Sequence, residues 1–277
     1  MTYKFIFFGT PYVARDTLLK LIEHGWRPEV VITNPDAPRG RKQVMTASET
    51  KAAAEANGIP VFTPERLDDE FVESLKQYAC DFAIVVAYGK ILPETLINAF
   101  PKGVLNIHYS LLPKYRGASP VEAALLNDDR DTGVTIQKMV HKLDAGDIVA
   151  VKTEAVLPDD TVITLRERLI TLGSDLLVDA LPKYLDGEIQ PTKQNEAEVT
   201  FASKIKKEDG EIKLEDDASV NWNKYRAYAA WPGVFFMKNG KRIKITKAEM
   251  DADEHFKILR VIQEGKKEMD YEVWLGS

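Results

Sequence analysis

The stretch Asp81–Tyr88, DFAIVVAY, decides the fold. It is a short apolar run rich in β-branched residues, with polar residues on either side, and reads as a strand buried on both faces. Toward the amino terminus the same signal recurs in PVFT (60–63), PEVVIT (28–33) and KFIFF (4–8). Amphipathic patterns lie between these runs, predicting helices over 13–24, 49–57 (stopped by Gly58) and near 67–78. Toward the carboxyl terminus follow strands over 103–108, 133–140 and 147–156 and a helix near 121–127. A long helix over 164–185 carries Leu165, Leu169, Leu172, Leu176 and Leu177 as a packing stripe. Strands alternating with helices predict a Rossmann-like α/β domain whose mainly parallel sheet is covered by helices. The first strand turns through FFGTP, which is not the GxGxxG of dinucleotide binding.

The polar stretch 187–203 has a proline and no periodicity, and predicts a linker between domains 1–186 and 204–277. Residues 204–277 hold GVFFMK and KRIKITKAEM on either side of Asn239-Gly240, a strong hairpin signal, and then FKILRVI. A helix is expected near 221–230. Only three or four strands can be placed there. The second domain is expected to be small and β-rich.

The 277 residues carry 37 Lys and Arg against 43 Asp and Glu, a net charge of −6, which disfavours a broad nucleic-acid-binding face. The acidity is uneven. Residues 201–277 hold 15 basic and 14 acidic side chains, leaving a net −7 to residues 1–200. No apolar run is long enough to span a bilayer, and MTYKFIFFGT shows no signal-peptide pattern. A single cysteine, Cys80, rules out an internal disulfide and a multi-cysteine zinc site. The expected setting is cytoplasmic, with no metal, no membrane and no obligate protein partner.

Candidate chemistry gathers in GVLNIHYSLLPKYRG (103–117). Side chains alternate along a strand, so Asn106 and His108 project to one side at its carboxyl end, where open α/β sheets bind ligands. Asn offers a neutral donor to a developing oxyanion, and His a donor or proton carrier near neutral pH. A lone strand-end histidine is ordinarily a satisfied core group, and the Asp144-Ala145-Gly146-Asp147 turn is by itself common turn chemistry. Together they make an acid/base and oxyanion-stabilising set that needs no metal. Asp147 competes with Asp144 for the carboxylate role. No serine or cysteine sits in a nucleophile elbow, which favours direct transfer over a covalent enzyme intermediate.

The stretches NIHYSLLPKYRG (106–117), TGVTIQKMVHKLDAGDIVA (132–150) and FFGTP (7–11) resemble the folate-dependent formyltransferase family over nearly the whole chain. The resemblance implies transfer of a formyl group from 10-formyltetrahydrofolate to an amine. By matched position it implies Asn106, His108 and Asp144 as the catalytic trio and Ser110, Leu111, Leu112 and Pro113 as folate contacts. Val86, Ala87, Tyr88, Gly89 and Ile91 would form the wall of the pterin pocket. Phe8, Gly9, Thr10 and Pro11 would meet substrate.

Two features point to charged initiator tRNA as the acceptor. The loop 34–48 places Arg39, Arg41 and Lys42 together with no acid among them, where the family has an insertion reaching the tRNA acceptor end. ASKI (202–205), WPG (231–233) and GKRIKI (240–245) resemble the family's tRNA-binding domain, which implies an OB-like barrel; such a barrel needs five strands, so here it is expected to be incomplete. There Lys204, Lys206, Lys207, Lys238, Lys241, Arg242, Lys244 and Lys247 could track a phosphate backbone. Trp231 is expected to pack in the core. An amino-sugar N-formyltransferase is the alternative; a formyl-folate hydrolase and a catalytically dead nucleic-acid module also stay open.

Overall fold

The protein is described by a computed structural model covering residues 3–40 and 43–276. Its contacts group the chain into two compact units. The first comprises residues 3–116, 133–153 and 169–200, and the second 117–132, 154–168 and 201–276.

The first unit is built on a seven-stranded sheet. In chain order its strands are β1 (Phe5–Gly9), β2 (Val30–Ile32), β5 (Val61–Phe62), β6 (Phe82–Val86), β7 (Val104–His108), β9 (Asp131–Lys138) and β10 (Asp147–Ala155). In space they run β10-β9-β7-β6-β1-β2-β5. Pairings from β5 across to β7 are parallel, and β9 lies antiparallel to β7. All five residues of β6 are buried, as are all five of β1, because helices cover both faces.

The alternation of β1 shows how. Ile6 and Phe8 pack with Val72 and Leu75 of α3 (Asp69–Leu75) and Leu96 and Ile97 of α4 (Glu94–Ile97). On the opposite face Thr17 of α1 (Tyr12–Glu23) meets Ser174 of α6 (Val162–Leu185) at 3.0 Å. Gly173 lets α6 approach the sheet closely: a Cβ there would lie 3.1 Å from both Ile107 and Val134. The helix α2 (Glu49–Ala56) starts at Ser48, whose hydroxyl accepts the Lys51 N–H at 3.0 Å.

Strand order reverses direction at β1. The chain moves from β1 to β2 and β5 on one side, then to β6 and β7 on the other. The carboxyl ends of β1, β6 and β7 therefore border the switch-point crevice where open α/β sheets bind ligands.

Segment 34–48, expected as a plain loop, contains an antiparallel hairpin of β3 (Ala37–Arg39) and β4 (Val44–Thr46), in register Pro38↔Met45. Lys51 ties its base to α2 through Asp36 at 2.9 Å. Arg39 lies in β3; Arg41 and Lys42 fall outside the described residues.

In the second unit β12 (Phe235–Lys238), β13 (Lys241–Met250), β14 (Phe256–Gln263) and β15 (Met269–Asp270) form an antiparallel sheet in that order. Asn239 and Gly240 both take positive φ in the β12–β13 turn, as a two-residue hairpin of this twist requires. Among the described residues these four strands form an open sheet, with no pairing of β15 back to β12. The short 251–255 connection makes β13 and β14 direct hairpin partners. Phe236 packs on Trp274 of α8 (Tyr271–Leu275) at 5.6 Å. Helices α5 (Pro120–Leu126) and α7 (Ala218–Ala227) pack together, and buried Arg226 pairs with Asp128 at 3.0 Å. Trp231, expected in the core, is 54% exposed; it borders a concavity of about 220 Å³ with Lys204, Ile205 and Arg166.

Candidate active site

The strand β7 carries the centre of the site. Asn106 is half-buried and His108 buried, and their β9 partners on the same face are Gln137 and Thr135. The side-chain amide of Asn106 makes no hydrogen bond to any described residue, so its donor and acceptor remain available at the crevice.

His108 is held from one side. Its Nε2 lies 2.9 Å from the Tyr115 carbonyl, which can only accept, so Nε2 carries a hydrogen. The neutral ring then has its lone pair at Nδ1, which faces Asp144 Oδ2 at 3.7 Å. A proton gained at Nδ1 would stand opposite a carboxylate. Asp144 has φ of +46°, a left-handed conformation that its short polar side chain tolerates.

Two glutamines outside the expected set fix Asp144. Gln137 donates Nε2–H to Asp144 Oδ1 at 2.9 Å and accepts the Gly146 N–H at 3.1 Å. Gln194, inside the segment expected as a linker, donates to the Asp144 and Gly146 carbonyls, each at 2.8 Å. Buried Arg116 donates to Gln194 Oε1 at 2.8 Å and to Glu196 at 2.7 Å. Beside Arg116 and Lys142, the Glu196 carboxyl is held down at about 2. Gly146 must be glycine, since a Cβ would stand 1.9 Å from the Lys138 carbonyl.

The SLLP stretch folds back on β9. Thr135 donates to the Ser110 carbonyl at 2.7 Å and accepts the Leu112 N–H at 3.0 Å. Ser110 Oγ donates to the Lys114 carbonyl at 2.6 Å. Ser110, Leu112 and Pro113 are buried, while Leu111 is half-buried over Gly133.

At the switch point the Tyr88 carbonyl accepts from Thr10 at 3.0 Å and from Asn34 at 2.8 Å. Val86, Phe8 and the Tyr88 ring are buried in the core, and Phe8 meets Tyr88 edge-on at 5.5 Å. Burial pushes the Tyr88 phenol up to about 12. Ala87, Gly89 and Ile91 are exposed, the last at 86%, and Ala87 and Gly89 both take positive φ. The turn after β6 therefore presents backbone and Ile91 outward while its larger rings face inward. Gly9 is enclosed between Ala14, Phe7 and the Val86 carbonyl; Pro11 is half-buried. Asp147 begins β10, whereas it is Asp144 that faces His108.

A sheet with this switch point, bringing an amide, an imidazole and a carboxylate together where its strands end, is an arrangement suited to group transfer. The chain belongs to the formyl transferase family: the family model described as "Formyl transferase" matches residues 3–181, and that of its C-terminal domain matches 204–262. The methionyl-tRNA formyltransferase of Lactobacillus gasseri is 43% identical over 246 residues, covering 88% of this chain and 78% of its own length. That of Pediococcus pentosaceus is 40% identical, with 95% and 83% covered. Among solved structures, a Helicobacter canadensis N-formyltransferase in complex with folinic acid and dTDP-3-aminofucose is 21% identical. It covers 90% of this chain and 88% of its own at a TM-score of 0.69, a likeness of fold. HypX of Aquifex aeolicus with tetrahydrofolic acid is 17% identical, with 98% and 46% covered and a TM-score of 0.68. Among the described residues no helix is long and apolar enough to cross a membrane.

Proposed function

We propose that this chain transfers the formyl group of 10-formyltetrahydrofolate to the free amine of methionyl initiator tRNA. The observation that carries the proposal is its 38–43% identity, over most of its length, to curated methionyl-tRNA formyltransferases. Amino-sugar formyltransferases resemble it at 15–21% identity, where only the fold is shared.

Bound folate supplies the activated formyl carbon. Asn106, with its available amide, donates to the formyl oxygen as negative charge develops there. His108 takes the proton of the attacking amine at Nδ1, the one ring nitrogen not committed to the Tyr115 carbonyl. Asp144 stabilises the resulting imidazolium across the 3.7 Å separation, and as the bond between the formyl carbon and folate N10 breaks, His108 returns its proton to that leaving nitrogen. No step in this scheme calls for a metal.

Around this trio, Ser110, Leu111, Leu112 and Pro113 shape the folate side, with Leu111 as the accessible member. Val86, Ala87, Tyr88, Gly89 and Ile91 form the pterin wall, largely through backbone. Phe8, Gly9, Thr10 and Pro11 border the substrate entry, where the polar offering is Thr10. Arg39, Arg41 and Lys42 meet acceptor-end phosphates. The proposed division of labour is formyl chemistry in 1–186 and tRNA binding in 204–277, with 187–203 between, in a cytoplasmic enzyme.

The test supplies 10-formyltetrahydrofolate with charged initiator tRNA, with a sugar-nucleotide amine, or with neither. Formyl-methionyl-tRNA is the expected product. Formylation of the sugar alone would overturn the proposal, and folate release without an acceptor would indicate a hydrolase.

A further inference from the structure

We infer that Gln137 is a positioning residue of the active site, fixing which carboxylate oxygen of Asp144 faces His108. This role presupposes the formyl-transfer function proposed above. Gln137 is 1% exposed, and a buried amide is costly unless both its ends are bonded. Here both are, and to the same loop: Nε2–H goes to Asp144 Oδ1 and Oε1 takes the Gly146 N–H. The second bond settles the amide's orientation, because an N–H can be accepted only by the oxygen. The NH₂ end is thereby turned to the carboxylate. With Oδ1 occupied, Oδ2 is the oxygen presented to His108 Nδ1.

The sheet register puts Gln137 beside the reacting groups. It is the cross-strand partner of Asn106, and Thr135, two residues earlier, is the partner of His108. The four side chains share one face. An apolar residue at 137 would fill the space and preserve the strand, yet take this donor away from Asp144 Oδ1. Gln194 holds only the backbone of the same loop, so it cannot replace that donor.

The experiment uses the full chain with two substitutions. Gln137→Met keeps volume and removes the donor; Gln137→Glu keeps shape and can donate only while its carboxyl is protonated. For Gln137→Met, kcat should fall by about 10²-fold, as misplacement of a reacting group does, with KM for both substrates within twofold and an unchanged melting temperature. Gln137→Glu should show a comparable loss near neutral pH, and its ratio to wild type should recover as pH is lowered. The ¹⁵N ring signals of His108 should move in Gln137→Met without substrates present. A kcat within twofold of wild type together with unmoved His108 signals would overturn the inference, as would equal losses for both variants at every pH. Should wild type fail to formylate charged tRNA, the functional proposal falls, and the His108 signals still decide the clamp. If Gln137→Met does not fold, the pH-dependent recovery of Gln137→Glu decides it.

Discussion

In the proposed reaction Asn106, His108 and Asp144 act through different chemistry, so their loss should differ. Asn106→Ala removes one donor to a developing oxyanion and is expected to lower kcat by about 10²–10³-fold. His108→Ala removes the proton acceptor and Asp144→Asn its counter-charge; each should abolish turnover while leaving the far-ultraviolet circular dichroism unchanged. Near-wild-type rates for either would sink the assignment. Cys80 behaves oppositely, as a residue with no chemistry to perform. Burial pushes its thiol up to about 12, so it stays protonated at neutral pH. A thiol reagent should label it slowly in the native protein and rapidly in denaturant, and fast native labelling would show that its surroundings open readily.

At the scale of elements, the turn between β9 and β10 depends on close approach. Gly146→Ala would drive a Cβ into the Lys138 backbone carbonyl, which has no flexible end to move aside. A loss of about 1–3 kcal/mol is expected, as for other overpacked sites. A denaturant midpoint equal to wild type would show that the turn can shift. The parallel strands were legible because runs such as FAIVV and FIFF admit little but a doubly buried strand. The β3–β4 hairpin was not: APR and VMT neither alternate nor cluster, and its six paired residues hold through backbone bonds. Asn106 and His108 could be found from their place at a strand end. Gln137 and Gln194 could not. Thr135 and Gln137 do repeat the Asn106/His108 spacing within an apolar strand, but that means something only once the β7–β9 register is known. Gln194 lies fifty residues from Asp144 along the chain. Trp231 shows the reverse failure, because an aromatic side chain's preference for burial does not fix its place.

Over the whole molecule, net charge −6 and exposed lysines spread along the near-neutral residues 201–277 predict a shallow salt dependence of tRNA binding by the full chain. A steep loss of affinity between low and physiological salt would mean a larger phosphate footprint than these residues supply. Glu196 makes stability itself pH-dependent. Its carboxyl lies at about 2 when folded, below the ordinary 4.5, so its contribution is complete above 4.5 and is lost as pH falls toward 2. Glu196→Gln should flatten the melting-temperature profile across that window, and an unchanged profile would show the Arg116 pairing to be thermodynamically silent. The two compact units are also interleaved along the chain. During synthesis, everything the first unit needs has emerged once residue 200 is free of the ribosome, including Gln194 to secure the Asp144 loop. At that moment α5 still waits for α7, with Val121, Ala124 and Leu125 ready for burial. A nascent chain paused with residue 200 just clear of the exit tunnel would thus hold a finished first-unit sheet and an apolar helix without its partner, a natural substrate for chaperones acting on nascent chains.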